Sequence, residues 1–228
     1  MHVPVKSFKI DHASMEEGLF ALRSSDVDHI VIGFEELPHL DGEAGGPISI
    51  TLTGTTVGEV VQRLCRGDPR YGYRIIGEGA MVEIRPKASN GDPNDLLNFR
   101  VHDYSVDADI MPAQAIEHIG DDASSLKEFL RHKAEEWSKR TGETPGSPGS
   151  ILSGNAIPPR FTLHLKNITV CQILITISLK SIQIFRTGPN FDRNGMRLGS
   201  APVGWKYEFL IDPNAPTGLG GYPKWTAF

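Results

Sequence analysis

The sequence of 228 residues contains only two cysteines, Cys65 and Cys171, and neither belongs to a CxxC pair. Two cysteines are too few for a disulfide framework. We interpret both as buried thiols, and a disulfide between them is the alternative. A chain of this length can bury a core large enough to fold without metal or disulfide cross-links.

The sequence also lacks an excess of basic side chains, since 28 acidic residues face 23 basic ones and the formal net charge is −5. Proteins that bind nucleic acid usually need a basic surface to neutralise phosphates. We therefore predict that nucleic acid is not a partner. No apolar run approaches the roughly 18 residues that span a bilayer, so we expect no membrane-spanning helix.

Recognisable catalytic and metal-binding motifs are missing as well. The eight histidines form no HExxH motif, and the glycine clusters lack the Lys-Ser/Thr ending of a phosphate-binding loop. One acidic segment, EELPHLDGE, could coordinate a cation through Glu35, Glu36, His39, Asp41 and Glu43. We interpret it as a solvated loop, because carboxylates on loops are common. The sequence predicts no catalytic residue, no cofactor and no metal.

What the sequence does contain is a repeated pattern. Residues 48–64 read ISITLTGTTVGEVVQRL and residues 161–177 read FTLHLKNITVCQILITI, with apolar residues at matching positions. In each copy the apolar spacing changes from two to the helical period, which predicts a strand followed by a helix. Thr56 and Thr169 stand at the change, where a hydroxyl can cap the first helical turn.

Two further copies begin at SFKIDHASMEEGLFAL, with Ser14 in the capping position, and at FRVHDYSV. Four strand-helix units therefore form two pairs. A hairpin is predicted over YGYRIIGEGAMVEI, residues 71–84. In the second pair the corresponding strands are SIQIF, residues 181–185, and WKYEFLI, residues 205–211, where Trp205, Tyr207, Phe209 and Ile211 share one face.

The second pair has extra residues between its two units. DDASSLKEFLRHKAEEWSKR predicts a helix, with Ser125 and Glu128 spaced as a capping box. Pro112 interrupts the helix expected after Ser105, so we expect that helix to start near Pro112.

The predicted fold is α+β, with two tandem small modules of strand-helix-strand-strand-helix-hairpin type, the second carrying an extra helix and long loops. We predict the following boundaries: a first module at 1–87, a second at 96–213 with a helical insertion at 121–140 and a flexible loop at 141–157, and a C-terminal tail at 214–228.

The first module resembles the short N-terminal domain of secretins and of TonB-dependent receptors with a signalling role. The resemblance is carried by FKIDHASMEEGLFAL, PISITLTGTTVGEVVQRL and YGYRIIGEGAMVEI, in the order found in that family. The second module is similar to a diverged copy. The resemblance implies a periplasmic or cell-envelope location, export by a signal peptide absent from this chain, and recognition of other envelope proteins without catalysis.

The leading functional hypothesis is accordingly a non-catalytic protein-interaction module in secretion, transport or signalling. We predict that partners bind at sheet edges and at the long loop after residue 186, through Arg186, Arg193, Met196 and Arg197. Arginine and methionine are enriched at protein interfaces. Two alternatives stay open: a small-molecule-binding protein or hydrolase with a cleft between the modules, and a self-associating structural subunit that forms rings.

Overall fold

The computed structural model describes residues 1–25, 30–37, 45–107, 110–141, 162–187, 202–211 and 221–227. The first half contains β1 (Pro4–Ala13), α1 (Met15–Ser24), β2 (Val31–Glu35), β3 (Ile48–Thr56), α2 (Val57–Gly67), β4 (Tyr71–Ile76) and β5 (Met81–Pro86). This is the predicted order of strand, helix, strand, strand, helix and hairpin.

A 3-10 helix, Leu96–Asn98, leads into the second half. The elements that follow are β6 (Arg100–Val106), α3 (Pro112–Glu117), α4 (Ile119–Asp122), α5 (Ser124–Thr141), β7 (Leu163–Thr169), α6 (Val170–Thr187), β8 (Trp205–Ile211) and β9 (Gly221–Ala227). The chain contains both helices and strands, and the strands form sheets, the largest of which is mixed. This confirms the α+β fold class.

Polar side chains start the helices at the predicted places. The Ser14 hydroxyl accepts a hydrogen bond from the Glu17 amide at 3.1 Å, and the Glu17 carboxylate accepts one from the Ser14 amide at 2.7 Å. The Thr56 hydroxyl accepts from the Glu59 amide at 3.3 Å. These bonds satisfy amides that have no partner within the first turn of a helix.

One predicted cap is wrong. The helix α5 begins at Ser124, so Ser125 lies within its first turn, and the buried Ser125 hydroxyl has no hydrogen-bond partner among the described residues. The helix itself covers most of the predicted insertion at 121–140, whereas the predicted loop at 141–157 lies almost entirely outside the described residues. As expected, Pro112 is the first residue of α3.

The strands form two antiparallel pairs, β1 with β3 and β6 with β7, and one five-stranded sheet in the order β4-β5-β2-β8-β9. Within that sheet β2 is parallel to both β5 and β8, and each hairpin is antiparallel. The hairpin of the second half therefore adds to the sheet of the first half. The two halves are joined through a shared sheet.

Two hydrophobic clusters lie on opposite faces of this shared sheet. Val31, Met81 and Trp205 belong to the cluster that contains α6. Ile32 and Val82, the next residues along β2 and β5, belong to the cluster that contains α1 and α2. Because both faces are covered, every residue of β2 is buried.

Two predictions for the second half are wrong in detail. Residues 181–185, predicted as a strand, are the end of α6, where Ile177, Ser178, Ser181 and Ile182 continue a buried helical stripe. The segment 214–228, predicted as a tail, contains β9, which pairs with β8. The strand was not predicted because Pro223 lies within it, and proline argues against a central strand. Proline is tolerated at a sheet edge, where β9 lies.

Candidate functional site at the sheet edge and the charged face of the hairpin

The strand β4 lies at one edge of the five-stranded sheet, where β5 is its only neighbour among the described strands. Three large hydrophobic side chains are exposed within the described residues: Phe20, Tyr73 and Ile75. Two of them lie on β4, two residues apart, and therefore on the same face of the strand. An exposed edge with apolar side chains is unusual, because such edges promote pairing with other chains.

The opposite face of the β4–β5 hairpin is charged. Arg74 forms a two-point ion pair with Glu83, which lies directly across the ladder and is buried. The Cys171 thiol, in the first turn of α6, donates a hydrogen bond to the Glu83 carboxylate at 2.8 Å. Burial first, and then the negative charge of Glu83, raise the pKa of Cys171. A thiol held protonated in this way is a hydrogen-bond donor and a poor nucleophile.

A second buried ion pair lies on the same face of the hairpin, at Arg85, two residues after Glu83 on β5. Arg85 donates to Glu35 at 2.6 Å and also pairs with Asp95. The Ser89 hydroxyl donates to the other oxygen of Glu35 at 2.6 Å. Burial first, and then the nearby charge of Asp95, raise the pKa of Glu35 to about 7, although Ser89 and Arg85 oppose the shift.

This network fastens the segment between the two halves to the sheet. Asn98 adds to it by donating to the main-chain oxygens of Ser89 and Asp92 at 2.9 and 2.8 Å. Near the junction between the halves, where the small-molecule alternative expects a cleft, a pocket of about 270 Å³ opens on this charged face and is lined in part by Arg74, Glu83 and Arg85.

A third charged group links β8 to the first half. Lys206 contacts Glu16 at 2.6 Å, Glu36 at 2.7 Å and Glu208 at 3.2 Å. Burial acts to lower the pKa of Lys206, but hydrogen bonds to Glu16 and Glu36 outweigh it and raise the pKa. On the other face of β8, Trp205 and Tyr207 are buried, as predicted for these two residues, whereas the side chains of Phe209 and Ile211 lie outside the description.

The structure describes only one of the four residues predicted to contact a partner. Arg186 is exposed in the last turn of α6. Arg193, Met196 and Arg197 lie outside the described residues, so their role stays a prediction.

The acidic segment EELPHLDGE is described only in part. Glu35 and Glu36 are bound to Arg85 and Lys206, whereas His39, Asp41 and Glu43 lie outside the described residues. No three or more His, Cys, Asp and Glu side chains in the described ranges are grouped to hold a metal ion.

The sequence predicts the hairpin but does not show that β4 is an edge. Tyr73 and Ile75 alternate in the same way as buried strand residues do, so their spacing predicts no difference. Their exposure depends on the strand order, which is set by pairings between residues far apart in sequence. The buried ion pairs could not be predicted either, since Glu83 and Arg85 occupy positions of β5 that look like ordinary polar positions of a strand.

Comparison of the chain with family models, with curated proteins and with solved structures found no match. Within the part of the chain that the structure describes, no helix combines the length and the apolar character needed to cross a membrane.

Proposed function

We propose that the chain is a non-catalytic protein-recognition module of the cell envelope, acting in secretion, transport or signalling. The observation that carries the proposal is the edge of β4, which pairs with no described strand other than β5 and exposes Tyr73 and Ile75 on one face. A strand from another protein can add to such an edge through main-chain hydrogen bonds, while alternate side chains supply specificity.

The surroundings of β4 favour a protein partner over a small ligand. The edge runs for six residues, Tyr71–Ile76, which is a usual strand length, and its side chains Tyr73 and Ile75 are both exposed. The ion pair between Arg74 on β4 and Glu83 on β5 fixes the strand against its neighbour, so the edge is preformed. A preformed site loses less conformational entropy when a partner binds.

The location in the cell envelope rests on the resemblance of residues 1–87 to the short domain of secretins and TonB-dependent receptors. The first half has the element order that the resemblance predicts. The partner at β4 is then an extended segment of another envelope protein, with apolar side chains at alternate positions that pack on Tyr73 and Ile75.

A selection from a displayed peptide library tests this function. We expect the purified chain to select extended sequences with alternating apolar residues, and we expect these peptides to slow amide hydrogen exchange along β4. Ile75→Glu should abolish the binding. Phe20→Glu is the matched control, because it makes the same change at an exposed position on α1, away from the edge.

Two outcomes count against the proposal. Selected peptides that bind equally well to the Ile75→Glu chain would show that β4 is not the binding edge, and so would a selection that yields no binder. A chain that forms large assemblies in light scattering, lost on Ile75→Glu, would instead favour the ring-forming alternative.

A further inference from the structure

A groove runs between β3 and the C-terminal half of α2, on a different sheet from β4. It has a volume of about 560 Å³. We call it the β3–α2 groove and define it by the residues that line it: Pro47, Ile48, Ser49, Ile50, Thr51, Leu52, Arg63, Arg66 and Gly67.

The wall of the groove on the strand side is the backbone edge of β3. Five consecutive strand residues, 48–52, line it, although successive side chains of a strand point to opposite faces. Such a run can line one groove only if the main chain itself forms the wall. The described strands place β1 on one side of β3 and none on the other, so this edge can accept a further strand.

The opposite wall is basic. Arg63 and Arg66 are exposed, and neither forms a salt bridge with any described residue. Of the neighbouring carboxylates, Glu59 on α2 accepts a hydrogen bond from Thr55, and Asp68, the residue after α2, is paired with Arg70 at 2.7 Å. Two cationic groups therefore face the groove, and no salt bridge within the described ranges engages either of them.

The end of the groove is shaped by a close approach of the helix to the strand. A Cβ atom at Gly67 would lie 2.8 Å from the Cγ2 atom of Ile48, so only glycine allows this approach without a shift. Ile50 and Leu52 are half-buried and give the groove an apolar floor. The groove therefore offers three features together: a strand edge, an apolar floor and two arginines.

The spacing of the arginines defines the ligand. Residues three apart on a helix face have Cβ atoms about 5–6 Å apart. In an added strand, side chains on one face repeat every two residues, or about 6.8 Å. Carboxylates at alternate positions of an extended segment can thus reach both guanidinium groups.

We propose that the β3–α2 groove binds an extended acidic segment of a partner protein, with carboxylates at alternate positions. This site is independent of the recognition proposed for β4, since it uses another sheet and another ligand chemistry. It is also specific to the first half of the chain. At the equivalent positions of α6, counted from the first helical residue, Arg63 and Arg66 are replaced by Thr176 and Leu179.

Fluorescence anisotropy with a labelled Glu-Val repeat peptide tests the proposal. We expect saturable binding to the full chain, and binding weaker by about tenfold or more in Arg63→Glu/Arg66→Glu, since tenfold corresponds to about 1.4 kcal/mol and one hydrogen bond to a charged group contributes about 1.5–3 kcal/mol. The matched control is Lys166→Glu/Lys180→Glu, which changes the net charge equally at exposed positions in the second half. This control should bind as the unchanged chain does.

Two further peptides sharpen the test. A Lys-Val repeat should bind the Arg63→Glu/Arg66→Glu chain better than the unchanged one. A Glu-Val repeat with alternate amides N-methylated should not bind, because it cannot pair with β3. The peptide should also leave the β4 amides unprotected in hydrogen exchange, which separates this site from the one proposed at β4.

Several results would overturn the proposal. These are absence of binding by the Glu-Val peptide, equal weakening in both charge-reversed chains, and equal binding of the N-methylated peptide. Displacement of the peptide by a short DNA duplex at equal concentration would identify a general phosphate-binding surface instead. Self-association that is lost on Arg63→Glu/Arg66→Glu would identify a second copy of the chain as the occupant.

Discussion

The Cys171 thiol donates its hydrogen bond to Glu83 across the boundary between the two halves. Glu83 lies on β5 of the first half, and Cys171 lies in the first turn of α6 in the second half. Arg74 completes the group by pairing with the same carboxylate. The thiol is therefore part of a buried polar contact that holds α6 against the shared sheet.

We predict that Cys171→Ala lowers the free energy of unfolding by about 1–3 kcal/mol, because Glu83 loses a buried donor. Cys171→Ser keeps a donor and should lower it less. Urea denaturation of the three chains measures the difference. The native thiol should also react with a thiol reagent only when the chain unfolds, since burial raises the pKa of Cys171. Rapid labelling of Cys171 in the native chain would contradict this account.

The stability of the chain should fall as pH rises through the range in which Glu35 titrates. Burial, followed by the charge of Asp95, raises the pKa of Glu35 to about 7, whereas an unfolded glutamate has a pKa of about 4.3. Between these two values the folded chain holds a proton that the unfolded chain has lost. Stability contributed by this group is thus present below about 4.3 and lost as pH rises to about 7.

Glu35→Gln should flatten this part of the stability profile, because glutamine does not titrate. Urea midpoints measured at several pH values between about 4 and about 8 give the slope. Glu128→Gln, at an exposed position of α5, is the control and should leave the slope unchanged. An unchanged slope in Glu35→Gln would show that other groups set the pH dependence.

Gly204→Ala should separate β8 from β2. A Cβ atom at Gly204 would collide with the carbonyl oxygen of Ile32, and main-chain atoms cannot move aside as a flexible side chain can. We expect a loss of about 3 kcal/mol or more in unfolding free energy, with faster hydrogen exchange in β8 and β9 than in β4 and β5. Gly46→Ala is the control, because in the described part of the chain no atom beyond its own chain neighbours lies within 4 Å of its Cβ position. Equal exchange in both hairpins would argue against this packing.

Local patterns were enough to predict most elements of the fold. Two helix starts were predicted correctly, at Thr56 from the change of apolar spacing and at Ser14 from its capping position. Both signals are carried by residues close together in sequence. Residues 181–185 were misread, because two isoleucines two apart fit a strand as well as the end of a helical stripe.

The sites could not be predicted in the same way. The pairing of β2 with β8 joins Gly33 to Trp205, and no local signal reports such a distant contact. The strand order then decides that β4 is an edge and that Glu35 and Glu83 are buried. Arg63 and Arg66 can be recognised as a possible binding site only when the structure shows that they line the same groove as the edge of β3.

The pairing of β2 with β8 has a consequence for how the chain folds. The strand β2 can pair with β5 early in synthesis, but its other edge stays open until the C-terminal hairpin has been made. During that interval Val31 and Met81 lack the cover that α6 and Trp205 later supply. Contacts between such distant residues form slowly, and exposed edges aggregate. The interval before β8 docks is therefore the stage at which the nascent chain most needs a chaperone.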